Sequence, residues 1–479
     1  MVLVPAKDSS LLAWRRPRSG DIFQIFRQRP QVSASPSVHH GVAAVPCGGT
    51  PRPVLPKRIV VYGMNYAPEL TGVGRFTGES CAHFAQGGAV IDVVTTPPHY
   101  PGWRIQAPYR RWYQTENSSQ WRVTRCPILL GKKMRGVWRL LAPLSFAMSS
   151  APVAFWRILS KRPDVVVVVE PTLFVAPVAL FAAMLVGAKT ALHVQDLEID
   201  AAFAVGHLRG DFYRRLANWI ESKILGAFDH VITISSQMRT RLEAKGVKPQ
   251  HLSVVRNWVD LEKIKPLTGP NGFRVELGLT NETFVVLYAG SVGAKQGLPV
   301  MLDAAEQLKE SREIVFVVAG DGPAKPDLIA QYAHLQNVRF LPTQPEDRLC
   351  ELLNAADLHV LPQMRGAADL VLPSKLGGML ASGRHVLVTA DPGTELYDFL
   401  SGAAVIVPAG DTQRMAEEIS VMARDRPRIA IEKSVQLAAA FDSKRNLSAF
   451  TSILAGLATD GVAGNEAAAS TAPSGIAVE

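Results

Sequence analysis

The chain has 479 residues, of which 47% are hydrophobic and 19% charged, so it carries enough apolar material for more than one core; a single small binding module and a wholly disordered chain are both excluded. Lys and Arg outnumber Asp and Glu by 51 to 42, a formal net charge of +9 with a pI near 9.4. That balance favours anionic partners without naming them: a phosphorylated substrate, anionic lipid headgroups and nucleic acid all suit it, as does a merely solvated basic surface. Cys47, Cys81, Cys126 and Cys350 lie far apart, with no CxxC or other metal spacing, the pattern of a reduced cytoplasmic protein without structural zinc.

Residues 1–57 mix Pro, Ser, Arg and Gly without a sustained period of 3.6 or 2 and without an apolar core of signal-peptide length, which predicts a disordered N-terminal extension or a start codon assigned too far upstream. Arg58-Ile-Val-Val-Tyr-Gly63 then reads as a first strand, with a glycine-bearing turn and a helix from Phe76, and 89–96 as a second strand. Between Lys132 and Arg162, seven basic residues (Lys132, Lys133, Arg135, Arg139, Arg157, Lys161, Arg162) are interleaved with Trp138, Leu140, Leu141, Phe146, Phe155 and Trp156. Such a helix suits an anionic membrane surface, or equally packing on its own domain with solvated Arg and Lys. The uncharged run Pro171–Ala188 is about long enough to cross a bilayer. Because strand-like runs stand on either side, at 165–169 and 190–194, a buried helix between two strands is the economical reading and a membrane span the alternative.

Further strand-like runs follow at 230–235 and 253–257, then a polar, Pro-containing stretch at 263–283, then a second series at 284–290, 314–322, 338–342, 357–362, 385–390 and 404–410. Short apolar runs alternating with helical stretches, twice over, predict an α/β chain of two Rossmann-like, doubly wound parallel-sheet domains facing each other across a cleft. The expected bounds are 58–265 and 283–440, then a helix at 441–458 returning to the first domain and a disordered tail at 459–479. In open parallel sheets ligands lie beyond the carboxyl ends of the strands, so the strand-end loops hold the candidate residues.

The first of these loops carries Gly72 and Gly74 just before a helix, a place where backbone can approach a ligand closely and free amides attract phosphate. Two glycines in a tight turn would look the same. The second series opens with an analogous loop, Gly290-Ser-Val-Gly-Ala-Lys-Gln-Gly297, which puts Lys295 among three glycines ahead of a helix from Leu298. An ammonium there can neutralise a diphosphate that backbone amides already cradle. The spacing departs from that of a P-loop. Gly320-Asp-Gly322 follows another strand, and Arg365 to Gly383 places Ser374 and Lys375 at a helix start.

Together these loops resemble those of family 4 glycosyltransferases, over roughly Lys57 to Gly456. The segments Tyr62–Glu79, His193–Asp200, Gly293–Gly297 and Arg365–Lys375 are similar to the colanic acid biosynthesis subgroup, whose best-known member is regarded as a fucosyltransferase. The resemblance implies the GT-B architecture, with the acceptor on the first domain and a nucleotide-diphosphate sugar, GDP-fucose being the candidate, on the second. Donor contacts then fall to Gly72, Gly74, Gly290, Ser291, Gly293, Lys295, Gln296, Gly297, Gly320, Arg365, Asp369, Pro373, Ser374 and Lys375. Asn65, Tyr66, Glu69, Arg75 and Glu198 are expected on the acceptor side. The catalytic expectation is His193, Asp196 and Lys295, His193 matching a family His near the transferring sugar, with a structural strand-end His as its alternative.

The chain departs from the family pattern in two places. Ser291 stands where the family has a phosphate-binding Arg, so Arg365, Lys375 and Arg75 are candidates for the missing charge. The family's pair of Glu falls on Leu370 and Gly378, although Asp369 adjoins the first. No D-x-D occurs anywhere in the chain, which argues for neutralisation by Lys, Arg and helix N-termini, without a metal or other cofactor. The implied activity is retaining transfer to a lipid-linked exopolysaccharide repeat unit, by a cytoplasmic enzyme peripheral on the anionic inner face of the plasma membrane. Two rivals are a sugar-nucleotide epimerase of the same fold and a non-catalytic nucleotide- or nucleic-acid-binding protein. Against the latter, the positive charge is scattered and no nucleic-acid module signature is present.

Overall fold

A computed structural model describes residues 55–69, 72–131, 138–196, 211–364, 372–426 and 431–470. The branched apolar runs form two sheets. The first contains β1 (Arg58–Gly63), β2 (Val90–Thr95), β3 (Gln114–Asn117), β4 (Trp121–Arg125), β5 (Val165–Glu170), β6 (Lys189–Val194), β7 (His230–Thr233) and β8 (Leu252–Val254), in the order β3-β4-β2-β1-β5-β6-β7-β8. The second contains β9 (Phe284–Ala289), β10 (Ile314–Ala319), β11 (Val338–Leu341), β12 (Leu358–Leu361), β13 (His385–Thr389) and β14 (Val405–Val407), in the order β11-β10-β9-β12-β13-β14. Only β3 pairs antiparallel, with β4 at the edge. Both sheets therefore reverse direction beside their first strand, between β1 and β5 and between β9 and β12, the doubly wound arrangement that opens a ligand crevice at the strand ends. The pair β3 and β4 has no counterpart in the sequence reading: Trp121-Arg-Val-Thr-Arg125 interleaves charge with apolar residues, and β4, next to the edge strand β3, is only partly buried.

Strands buried on both faces read as unbroken apolar runs, and β5, Val-Val-Val-Val-Val-Glu, is buried at all six positions. Alternate residues serve opposite layers. Tyr62, Val166, Val168, Leu192 and Val194 pack with α2 (Trp138–Lys161) and α3 (Ala176–Val186), through Ala142, Phe146, Ile158, Ala176 and Ala179. Ile59, Val61, Val165, Val167 and Ala191 pack on the other side with Phe76 and Phe84 of α1 (Val73–Gln86) and with the C-terminal helix.

The helix expected to be buried between β5 and β6 is only half so. Its alanines face inward, while Phe174 just ahead of it and Phe181, Met184 and Leu185 within it are exposed. Among the described residues no helix is long and apolar enough to cross a membrane; the 11 residues of α3 reach about 16 Å at a 1.5 Å rise. The C-terminal helix runs from Ser443 to Ser470, past the expected start of a tail at 459. It packs on the first sheet, setting Phe450 edge-on to Phe84 at 5.3 Å.

Candidate active site

The loop after β1 is anchored by a buried carboxylate. Glu69 is 3% exposed and accepts hydrogen bonds from Asn65 Nδ2 at 2.9 Å and from the backbone amides of His99 and Tyr100 at 3.0 Å each. Thr95 and Thr96 donate to the carbonyl of Met64 at 3.1 and 2.7 Å, so the loops after β1 and β2 are laced into one unit. This explains Gly74: a Cβ there would stand 2.4 Å from Glu69 Oε2. The lacing holds the Tyr100 ring beside Gly72, where an added Cβ would sit 3.3 Å from it.

The opposing loop after β9 is built on backbone contact. A Cβ on Gly320 would fall 1.8 Å from the carbonyl oxygen of Gly290, so the β9 and β10 loops meet backbone to backbone, which only glycine permits. Tyr288 donates to the carbonyl of Ser291 at 2.6 Å and accepts from Lys375 Nζ at 2.7 Å. That ammonium lies 4.1 Å from the Tyr288 ring centroid and would be 3.4 Å from a Cβ on Gly290. Burial lowers its pKa to about 7. Lys375 stands just ahead of the helix Leu376–Ala381, and Gly297, at φ 64°, leads into the helix Leu298–Gln307, whose first-turn amides lie at the same strand end.

The two loops approach each other at Tyr100, whose pKa is raised, first by burial, with neighbouring Ser291 acting the other way and the charges of Glu69 and Asp196 adding to the rise. Asp196, half-buried, lies just past the end of β6. Tyr100 and Tyr288 were not among the residues singled out from sequence, although the aromatic run from Tyr100 to Trp103 at a strand end was a usable signal. Further along the cleft, Glu395 accepts from the amides of Ser236 and Gln237, at 3.1 and 2.9 Å, and from Arg256 Nη2 at 2.9 Å. Here a strand-end helix of the first sheet is joined to one of the second.

Several expected contacts are corrected by this geometry. His193 lies on the same face of β6 as Ala191, so its ring faces the C-terminal helix, 1% exposed and 4.9 Å from Phe450; burial lowers its pKa to about 4. An enclosed neutral imidazole packs a strand end and is poorly placed to move protons. Tyr66 is half-buried and packs with Phe76 and Phe84 of α1, with its pKa raised by burial. Arg75 pairs with Glu79 at 2.7 Å. Asn65 and Glu69 are spent on each other and on the loop. What was read as an acceptor surface is largely the frame that holds Tyr100. Gly290, Ser291, Gly293, Gln296, Gly297 and Gly320 occupy the loops after β9 and β10, Gly72 precedes α1 and Gly74 lies in its first turn; Pro373 and Ser374 lie just ahead of Lys375. Glu198, Arg365, Asp369 and the side chain of Lys295 lie outside the described residues.

Comparison with known proteins decides the family. Residues 71–258 match the glycosyl transferase 4-like domain, and residues 283–425 match the glycosyl transferases group 1 domain. The chain belongs to the family 4 glycosyltransferases. It is 38% identical over 349 residues to the colanic acid biosynthesis glycosyl transferase WcaI of Escherichia coli K12, covering 71% of this chain and 84% of that protein. Against D-inositol 3-phosphate glycosyltransferase 1 of Catenulispora acidiphila it is 29% identical over 223 residues, 44% of this chain and 52% of the other. Among solved structures, sucrose-phosphate synthase of Thermosynechococcus elongatus superposes with a TM-score of 0.67 at 14% identity, covering 84% of this chain and all of that one. The lipopolysaccharide glycosyltransferase WaaG superposes at 0.59 and 16% identity, covering 82% and 99%. The fold of this glycosyltransferase is accordingly GT-B.

Proposed function

We propose that the enzyme moves a sugar from a nucleotide-diphosphate donor to a saccharide of an exopolysaccharide repeat unit, carried on a lipid at the inner face of the plasma membrane. The carrying observation is the half-buried Lys375, whose ammonium lies at Gly290 near a helix N-terminus at the switch point of the second sheet. A diphosphate placed there is met by a cation and by amides already in position, and charge that grows on the leaving oxygen needs no further rearrangement. Lys375 supplies a cation that Ser291 lacks. Lys295, on the same loop, is the second cation of this reading.

In this reading Asp196, whose charge acts on Tyr100, orients an acceptor hydroxyl, and Tyr100 beside Ser291 keeps the two loops in register. The exopolysaccharide assignment follows the likeness to WcaI. A nucleotide-sugar donor is supported by the Anabaena protein HepE, solved with UDP-glucose, which shares the fold at a TM-score of 0.54. Retention of configuration, metal independence and GDP-fucose as donor belong to the same reading.

Incubation with a panel of nucleotide sugars, with and without a saccharide acceptor, is the test. Thermal shift identifies the donor, since ligand at about 100 times Kd stabilises by roughly 2.7 kcal/mol. Transfer that requires acceptor is the expected outcome; conversion of the sugar nucleotide in its absence would instead establish the epimerase.

A further inference from the structure

A helix on the surface of a water-soluble protein turns its large apolar residues inward, and α3 does the reverse. Ala176, Ala179, Ala182 and Ala183 are fully buried, whereas Phe181, Met184 and Leu185 are 51%, 68% and 51% exposed and Phe174, just ahead, is 47% exposed. Small residues let the helix sit close to the sheet while its bulk points out. Beside it, α2 exposes Trp138, Leu141, Leu144, Met148 and Trp156, spaced three to eight residues apart along one stripe. Phe155 of α2 stacks on Phe181 of α3 at 6.0 Å, with the rings 14° from parallel, so the two stripes adjoin. Single exposed apolar residues are ordinary, but a contiguous face of this kind marks an interaction site.

The charge on this face has one sign. Neither α2 nor α3 contains an acidic residue. Lys161 and Arg162 are exposed at the end of α2. Tyr113 donates to the Ser149 carbonyl at 2.9 Å, which brings exposed Trp112, with Arg110 and Arg111 ahead of it, to the edge of the face. A second copy of the chain is a poor occupant, because a two-fold contact would bring basic rims together with no acidic counterpart.

We infer that the outward face of α2 and α3 lies in the surface of an anionic lipid bilayer, its aromatic and aliphatic side chains at the headgroup and acyl boundary and its Arg and Lys on the headgroups. The inference deepens the membrane part of the function proposed above. Phe174 follows directly on β5, at the carboxyl edge of the sheet, so the face begins at the end of the sheet where the cleft loops lie. A saccharide on a lipid carrier would reach those loops while its carrier stays in the bilayer.

The test is co-sedimentation of the full chain with vesicles of phosphatidylcholine alone or mixed with phosphatidylglycerol. Binding is expected only with the anionic lipid, weakening as salt rises. Met184→Ser and Trp156→Ser alter residues more than two-thirds exposed, so the fold should survive, as circular dichroism and the melting temperature would verify. Each should weaken vesicle partitioning roughly tenfold, the scale of one large apolar side chain withdrawn from lipid, while transfer to a soluble acceptor is unchanged. Equal binding by wild type and both variants, equal binding to neutral vesicles, or a dimer dissolved by these substitutions would overturn the assignment. Vesicle binding without any sugar transfer would leave the face standing and remove the proposed reaction instead.

Discussion

Lys375 is held by one hydrogen bond to Tyr288 and by the face of its ring, and enclosure lowers the pKa of its ammonium to about 7. A diphosphate prefers the charged form, so kcat/KM for the donor, which reports the free enzyme, is expected to fall as pH rises above about 7. Lys375→Arg, which stays charged, should flatten that limb, and Lys375→Ala should lose about 10²- to 10³-fold in kcat. A pH profile identical in all three proteins would remove Lys375 from the donor site. The same shift acts on stability: between about 7 and the ordinary Lys value the unfolded chain holds the extra proton, so the unliganded fold gains stability as pH rises through that window. His193 titrates lower, at about 4 against an ordinary 6.5. Its neutral, buried form contributes stability that is complete above 6.5 and is lost as pH falls toward 4. His193→Phe should therefore flatten acid unfolding across that window and keep transfer activity; a dead but folded variant would restore the catalytic role that its burial argues against.

Between residues and the whole lie the elements, and there the carboxylate of Glu69 joins the loops after β1 and β2. Gly74→Ala puts a methyl 2.4 Å from Glu69 Oε2. The collision is expected to cost about 1–3 kcal/mol, the usual range for overpacking, and to free the Tyr100 loop, raising donor KM; a urea midpoint equal to wild type would show that the loop yields without cost. The strands were legible in the sequence because the central strands are covered on both faces, which writes a nearly continuous apolar run in β1, β5, β9 and β10. The glycine loops were legible because backbone packed on backbone excludes every other residue. Side-chain direction was not. His193 and Glu69 sit at the expected strand ends, but alternation along β6 turns one toward Phe450, and three hydrogen bonds close the other. The same limit hid the outward face of α3, since an apolar stretch does not say which of its residues meet the sheet.

Across the whole molecule, two kinds of link join the sheets. The chain leaves the first sheet after β8 and comes back beside the same point, where the Val259 amide donates to the Phe441 carbonyl at 2.8 Å and the Ser443 amide to the Val259 carbonyl at 3.0 Å. The C-terminal helix then completes the layer over the first sheet with Leu447, Phe450 and Leu454. The other link is polar: the carboxylate of Glu395 serves two amides at the start of the helix Ser236–Ala244 and the Arg256 guanidinium. Arg256 and Glu395 are only 23% and 12% exposed at their side chains, so little water replaces what the carboxylate provides. Glu395→Ala leaves three donors without this acceptor, and hydrogen bonds to charged groups contribute about 1.5–3 kcal/mol. Because the Gly290 loop does not use Glu395, nucleotide-sugar affinity should change little. Hydrogen exchange at the Ser236 and Gln237 amides should quicken, the melting temperature should fall, and transfer, which needs both strand-end loops in register, should slow more than donor binding weakens. Unchanged exchange at those two amides would mean that Glu395 does not help to hold the sheets together.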